Sequence, residues 1–214
     1  MNKPQTLPRI KVCGLTRLEH AMVALHAGAQ AFGFVLHAPS LRAVTVSEAQ
    51  EIAGSLPASM PKVAVLVHAT PAHARTTLDS ESLNWVQLCG SQQPEDWVSF
   101  PFPVLRRIPV DGSGSQQLRD WRGIADGFVL DHPTSPGGSG LAVDWNLAHD
   151  LSKQAPCLLA GGLSADNVER AILQARPAGV DASSQLETSP GIKSPALITS
   201  FARSAQQAFR GLPS

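Results

Sequence analysis

The chain has 214 residues, 43% of them hydrophobic and only 16% charged, and its 17 Lys+Arg cancel its 17 Asp+Glu. A neutral chain without a basic block lacks the dense positive face that nucleic acid or an anionic membrane demands, yet it leaves room for a local anion site. No apolar run approaches the ~18–20 residues of a transmembrane helix, and the start, MNKPQTLPRIKV, has no signal-peptide core, so the expected compartment is the cytoplasm. Cys13, Cys89 and Cys157 are an odd count without CxxC or Cys/His ligand spacing, which predicts free thiols and neither a zinc site nor a disulfide framework.

Short runs rich in Val, Ile, Leu and Phe alternate with helical patterns along the chain. Residues 10–13 read as the first buried strand. Thr16 and Glu19 then form a candidate capping box, followed by Leu18, Ala21, Met22 and Leu25 on one helical stripe. Ala31–Val35 is the second strand; Thr45 and Glu48 repeat the box, and Ala49, Ile52, Ala53 and Leu56 the stripe. Lys62–Val67 is the third strand, with a short helix over 72–78. Residues 85–88 form the fourth, followed only by a helical turn or two at 94–98. Strands five and six, at 104–108 and 127–130, carry short helices at 115–121 and 144–151 behind them. Residues 157–160 form strand seven; Ser164 then precedes the stripe Val168, Ala171, Ile172, Ala175. Gly179–Ala182 is strand eight, ahead of a last helix carrying Ile198, Phe201, Ala202 and Ala205.

Nearly continuous apolar runs fit parallel strands covered on both faces or lining a filled barrel. Eight βα units leave an open doubly wound sheet or a closed (β/α)₈ TIM barrel. The open sheet would usually carry GxGxxG after strand one, where this chain has Cys13-Gly14-Leu15-Thr16. Gly112-Ser113-Gly114, after strand five, lacks the third Gly and reads as a turn. The α/β barrel, a single domain spanning 1–214, is therefore the expected fold.

In such a barrel, chemistry gathers at the carboxyl ends of the strands. The Gly pair 161 and 162 after strand seven and the Ser pair 183 and 184 after strand eight occupy the barrel's common phosphate site, where small residues let backbone N–H groups approach an anion. The bland alternative is a tight turn and a helix cap. Asp131 ends strand six; desolvation at a dry mouth would keep it protonated as a proton donor, whereas an ordinary turn Asp would accept loop N–H bonds. Beside it, residues 134–141 read as a lid. Cys13 is by type a small buried hydrophobe, but its place opposite Asp131 makes it a candidate base if an electropositive mouth favours its thiolate. Arg42 is suited to grip a planar carboxylate. Gln87 and Asp181 are further expected pocket residues, and one of Arg106 and Arg107 should face the mouth. Cys157 opens its strand and belongs at the other end of the barrel.

These residues sit in an ordered series: Lys11-Val12-Cys13-Gly14-Leu15-Thr16-Arg17, Phe32-Gly33-Phe34-Val35, Ser40-Leu41-Arg42, Val86-Gln87-Leu88-Cys89-Gly90, Gly137-Gly138-Ser139-Gly140 with Asp144-Trp145, Ala160-Gly161-Gly162-Leu163, and Val180-Asp181-Ala182-Ser183-Ser184 with Glu187 and Pro190-Gly191-Ile192-Lys193. From about residue 9 to residue 201 the series closely resembles the phosphoribosylanthranilate isomerase family of tryptophan biosynthesis. The resemblance implies an Amadori rearrangement of N-(5-phosphoribosyl)anthranilate, with no metal and no organic cofactor. It implies Asp131 as general acid, Cys13 as general base, Arg42 on the anthranilate carboxylate, and Gly161, Gly162, Ser183 and Ser184 on the phosphate. The implied partner is the small phosphosugar-anthranilate substrate, in a monomer or homodimer.

Three positions depart from the family's usual pattern: Leu41 replaces a Pro beside Arg42, Cys89 replaces a His, and Gln185 replaces a Gly after the Ser pair. An active enzyme with altered affinity is expected. Among other phosphosugar barrels, a ribulose-phosphate epimerase would need metal-ligand His and Asp at strand ends. An indole-glycerol-phosphate synthase would want a Lys at the mouth, whereas Lys11 lies within strand one. A non-catalytic phosphoribosyl-ligand sensor is the reading from a different class.

Overall fold

The computed structural model describes residues 7–78, 82–133 and 141–212. Eight parallel strands close into one barrel in sequence order. They are β1 (Ile10–Val12), β2 (Ala31–Val35), β3 (Lys62–Val67), β4 (Trp85–Cys89), β5 (Val104–Pro109), β6 (Gly127–Asp131), β7 (Cys157–Leu159) and β8 (Gly179–Ala182). The ring closes where β1 pairs with β8, placing Lys11 opposite Asp181. The expected TIM barrel is thus present, with strand ends shifted by at most one residue.

Alternation explains why the strands read as continuously apolar. Outward residues such as Ile10, Val12, Val86, Leu88 and Leu130 pack under the helices, while Val63, Trp85, Leu105, Val129 and Leu158 fill the barrel's lower interior over Leu7. Above them Cys13, Val65 and Cys89 form a smaller inward layer. Among the described residues, these layers fill the barrel below, and a cavity opens at its carboxyl mouth.

The helices are α1 (Leu18–His26), α2 (Val46–Gly54), α3 (Pro71–Leu78), α4 (Gly114–Asp120), α5 (Trp145–Ser152), α6 (Val168–Ala175) and α7 (Pro195–Gly211). The fourth crossover has only a 3₁₀ turn, Pro94–Trp97, anchored by buried Trp97 against the Phe100 ring at 4.9 Å. The Thr45/Glu48 capping box forms as expected. The one at Thr16 does not: α1 starts after Arg17 without a side-chain cap, because the Thr16 hydroxyl donates instead to Gly191 O at 2.6 Å. Ser164 heads a turn closed by its N–H to Asn167 Oδ1 (2.9 Å), and α6 begins after Asn167. After β8, a 3₁₀ turn (Ser184–Leu186) leads into a hairpin of β9 (Glu187–Ser189) and β10 (Ile192–Lys193). Residues 134–140, most of the expected lid with its Gly137-Gly138-Ser139-Gly140, lie outside the described residues. Among the described residues no helix is long and apolar enough to cross a membrane.

Candidate active site

The strand ends open into one cavity of about 290 Å³. Cys13, Gln87, Asp131 and Asp181 line it from the strands, and Arg42, Gly161, Gly162, Ser183 and Ser184 from the loops that follow. Every residue singled out for the site therefore lies on one surface. Cys157 lies at the opposite, amino-terminal end of β7, fully buried.

Cys13 follows β1 directly and its N–H donates to Ala182 O (2.9 Å). Its sulfur packs on the bare backbone of Gly33 in β2; a Cβ there would stand 2.6 Å from Sγ. The residue is 8% exposed, and burial pushes its thiol above the ordinary range, while Lys11 and Lys193 oppose the shift in part. The expectation that the mouth lowers the thiol's pKa is thus corrected: desolvation outweighs the nearby cations.

Lys11 lies one inward position below Cys13, fully buried, with Nζ 2.7 Å from Asp181 Oδ2. Burial works against its ammonium, but Asp181 and Cys13 outweigh burial and hold its pKa above the ordinary lysine value. Gln87 reaches in from β4 and its Nε2 donates to Cys89 Sγ (3.7 Å); burial pushes the Cys89 thiol up to about 11. Gln87 Oε1 and Asp181 Oδ1 are buried acceptors with no hydrogen-bond partner among the described residues. A hydroxyl-bearing ligand in this cavity would supply the missing donors.

Of the two readings of Asp131, its contacts include the loop N–H bond of a turn Asp, and they add a cation. Its Oδ1 accepts from His132 N (2.8 Å) and its Oδ2 pairs with Arg107 Nε (3.2 Å), while Arg107 Nη2 also donates to His132 O. Arg107 is the arginine that faces the mouth. Arg106 points outward, donates to Gly90 O (2.6 Å) and Gln92 Oε1 (2.7 Å), and lies over the Trp121 ring.

Arg42 is held edge-on by Glu187, through Nε to Oε1 (2.9 Å) and Nη2 to Oε2 (2.8 Å). Leu41, in the usual Pro position, is 74% exposed and packs little; Ser40 Oγ instead tethers the loop by accepting from Arg42 N (3.2 Å). Gly161 and Gly162 both take positive φ (82° and 63°), which an L side chain resists, and a Cβ on Gly161 would meet Val143 at 2.7 Å. Gly162 O accepts from Asn167 Nδ2 (2.9 Å). The N–H groups of Gly162 and Ser184 have no acceptor among the described residues. Such amides beside small side chains can receive an anion.

Sequence reasoning passed over Lys11, Gly33 and Lys193 as site residues and gave Glu187 no role. For Lys11 the signal was available, since positions 11 and 13 of one strand share a face. The Glu187 contact with Arg42 spans 145 residues and carries no local signature, whereas Lys193 meets Glu187 and Ser183 only 6 and 10 residues away, through a hairpin whose pairing was not anticipated.

A family profile described as N-(5′-phosphoribosyl)anthranilate (PRA) isomerase matches residues 10–204. The chain is 41% identical over 205 residues to N-(5′-phosphoribosyl)anthranilate isomerase of Pseudomonas putida (strain GB-1), covering 94% of this chain and 98% of the relative. To that of Geotalea uraniireducens (strain Rf4) it is 36% identical over 203 residues, covering 94% and 99%. Among solved structures, phosphoribosyl anthranilate isomerase from Thermus thermophilus superposes with a TM-score of 0.84 at 30% identity, over 93% of this chain and 98% of that one. A phosphoribosyl anthranilate isomerase in complex with reduced 1-(o-carboxyphenylamino)-1-deoxyribulose 5-phosphate gives 0.83 at 29% identity, over 94% and 100%.

Proposed function

This chain belongs to the N-(5′-phosphoribosyl)anthranilate isomerase family of tryptophan biosynthesis, and from that premise we propose that its mouth performs the Amadori rearrangement with Asp131 as general acid and Cys13 as general base. The observation that carries the reading is the gathering of Cys13, Asp131, Arg42 and the 161–162 and 183–184 backbone around one cavity. Asp131 gives a proton to the ribose ring oxygen as the C1′–O bond breaks, and the anilino nitrogen lone pair forms the Schiff base. That cationic nitrogen acidifies C2′–H, so the Cys13 thiolate suffices to remove it; the C–H electrons flow toward nitrogen and give an enolamine. C1′ then takes up a proton and the C2′ hydroxyl loses one, leaving the 1-deoxyribulose phosphate.

Arg42 binds the anthranilate carboxylate through the guanidinium edge that Glu187 does not occupy, and the phosphate sits on the Gly162 and Ser184 amides. Gln87 and Asp181 accept from ribose hydroxyls. With both ends held, the reacting carbon is fixed between acid and base, so binding is converted into positioning. The reaction as written draws on no metal and no organic cofactor. The same reading takes the protein as a cytoplasmic monomer or homodimer. Mixing purified protein with freshly made phosphoribosylanthranilate tests it: loss of substrate fluorescence with formation of the carboxyphenylamino product is expected. Tight binding of the substrate without turnover overturns the reading in favour of a ligand sensor.

A further inference from the structure

Two side chains outside the cavity lining, Glu187 and Lys193, connect the two anion handles. They face each other in register across the β9–β10 hairpin, and Nζ lies 2.6 Å from Glu187 Oε1. Both are almost sealed, with side chains 4% and 0% exposed. The ammonium has three donors and three acceptors: Glu187 Oε1, Ser183 O (3.1 Å) and Ser183 Oγ (3.3 Å). It is therefore saturated and has no hydrogen left for a ligand. Glu187 spends its other contacts on Arg42, taking the guanidinium in the two-pronged geometry that fixes its plane.

We propose that Glu187 and Lys193 form a positioning unit that sets the distance between the Arg42 guanidinium and the Ser184 amide, so that the pocket selects ligands whose two anionic groups match that span. The inference rests on the anion sites of the proposed function. Its physical basis is the planar trans peptide: C=O and the following N–H point in opposite directions. Lys193 Nζ and Leu186 N both pull Ser183 O away from the cavity, which turns the Ser184 N–H toward it. Gly14 lets the two ends close up, because a Cβ there would lie 2.8 Å from Arg42 Cδ and 2.9 Å from Ser183 Oγ. One carboxylate thus aims the guanidinium directly and the amide through Lys193.

The test is competitive inhibition of the isomerase by inorganic phosphate, alongside kcat and KM. Lys193→Met is expected to raise the phosphate Ki about tenfold, the scale of one misaligned charge-assisted hydrogen bond, and to raise KM similarly; kcat should fall as well, because Lys193 also favours the Cys13 thiolate, so the phosphate Ki is the deciding readout. Glu187→Gln should raise both constants, and Lys193→Arg should recover part of the loss. Arg42→Gln should raise KM while leaving the phosphate Ki within about twofold, since the Glu187–Lys193–Ser183 contacts survive. A folded Lys193→Met variant with wild-type phosphate Ki overturns the proposal. If that variant does not fold, the Glu187→Met/Lys193→Met pair, which removes both charges together, is read in the same way. Wild-type protein that phosphate fails to inhibit takes down the phosphate site itself, and this inference with it; inhibited wild type with unshifted variants takes down the positioning unit alone.

Discussion

Lys11 Nζ and Asp181 Oδ2 meet at 2.7 Å inside the barrel, one inward position below the sulfur of Cys13. A closed ring brings them together by pairing β1 with β8, so an ion pair between residues 170 apart is an adjacent-strand contact. The proposed base therefore stands over a buried cation in a pocket that otherwise disfavours charge.

That arrangement sets a pH dependence. Burial raises the Cys13 thiol above its ordinary 9.0, so the thiolate fraction, and with it kcat/KM, should climb with pH through neutrality and continue past pH 9. Removing the Lys11 charge, which holds the thiol's pKa down, should shift the ascending limb to higher pH. Lys11→Met leaves Asp181 buried and unpaired; Lys11→Met/Asp181→Asn is the better-folded comparison, but it also removes a carboxylate that pushes the thiol's pKa up, so its limb should move less than that of Lys11→Met. Alkylation of Cys13 by iodoacetamide against pH measures the same titration without turnover. An unmoved limb in both variants means that Lys11 does not act on the thiol.

Asp131→Asn keeps an acceptor for His132 N but loses the proton that the ring oxygen needs and the pairing with Arg107. Its kcat should fall on the order of 10²–10⁴-fold, the usual weight of a general acid. Binding of a reduced product analogue should change little, because both anion handles remain. A loss below tenfold would remove Asp131 from the acid role.

Gly33→Ala probes how closely the base is seated. The new methyl would stand 2.6 Å from Cys13 Sγ and 3.1 Å from its Cα, and since one contact is backbone, the thiol must yield. Overpacking of this kind costs about 1–3 kcal/mol in stability. Displacing a reacting atom costs more in rate, so kcat should drop at least about tenfold with KM less affected. Thermal unfolding and steady-state kinetics on one preparation separate the two, and normal kcat in a destabilised protein would mean that the thiol's position is not critical.

The strands were legible because each is covered on both faces and so reads as an apolar run. The cavity lining was legible because a barrel collects its chemistry at strand ends, which is how Cys13, Asp131 and the 161–162 and 183–184 pairs were placed at one mouth without contacts. Lys11 was passed over because a charge inside an apolar strand suggests no function until its partner is known, and that partner is supplied by ring closure. Thr16 shows the same limit from the other side. Its local pattern spells a capping box, yet a carbonyl 175 residues away takes its hydroxyl. Arg42 was read correctly as a residue of the mouth, but Glu187, 145 residues further on, decides which edge of it is open.

The third thiol allows a test independent of catalysis. Cys157 is fully buried at the start of β7, its S–H directed to Ala155 O at 3.2 Å, and burial pushes its pKa up to about 12. In the unfolded chain the same thiol loses its proton near its ordinary 9.0. Above that pH the unfolded state binds fewer protons than the native state, so stability falls as pH rises, from about 9 until the native thiol itself ionises. At pH 10.5, Cys157 should cost on the order of 1–2 kcal/mol relative to pH 8. Cys89, raised to about 11 by burial, adds a loss of the same sign. Cys157→Ala should therefore be less stable than wild type at pH 8, having lost buried contacts, but should lose less on going to pH 10.5. Urea unfolding of both proteins at the two pH values measures the difference. Equal alkaline losses would mean that the Cys157 thiol titrates alike in the folded and unfolded chain, and that its burial exerts no such penalty.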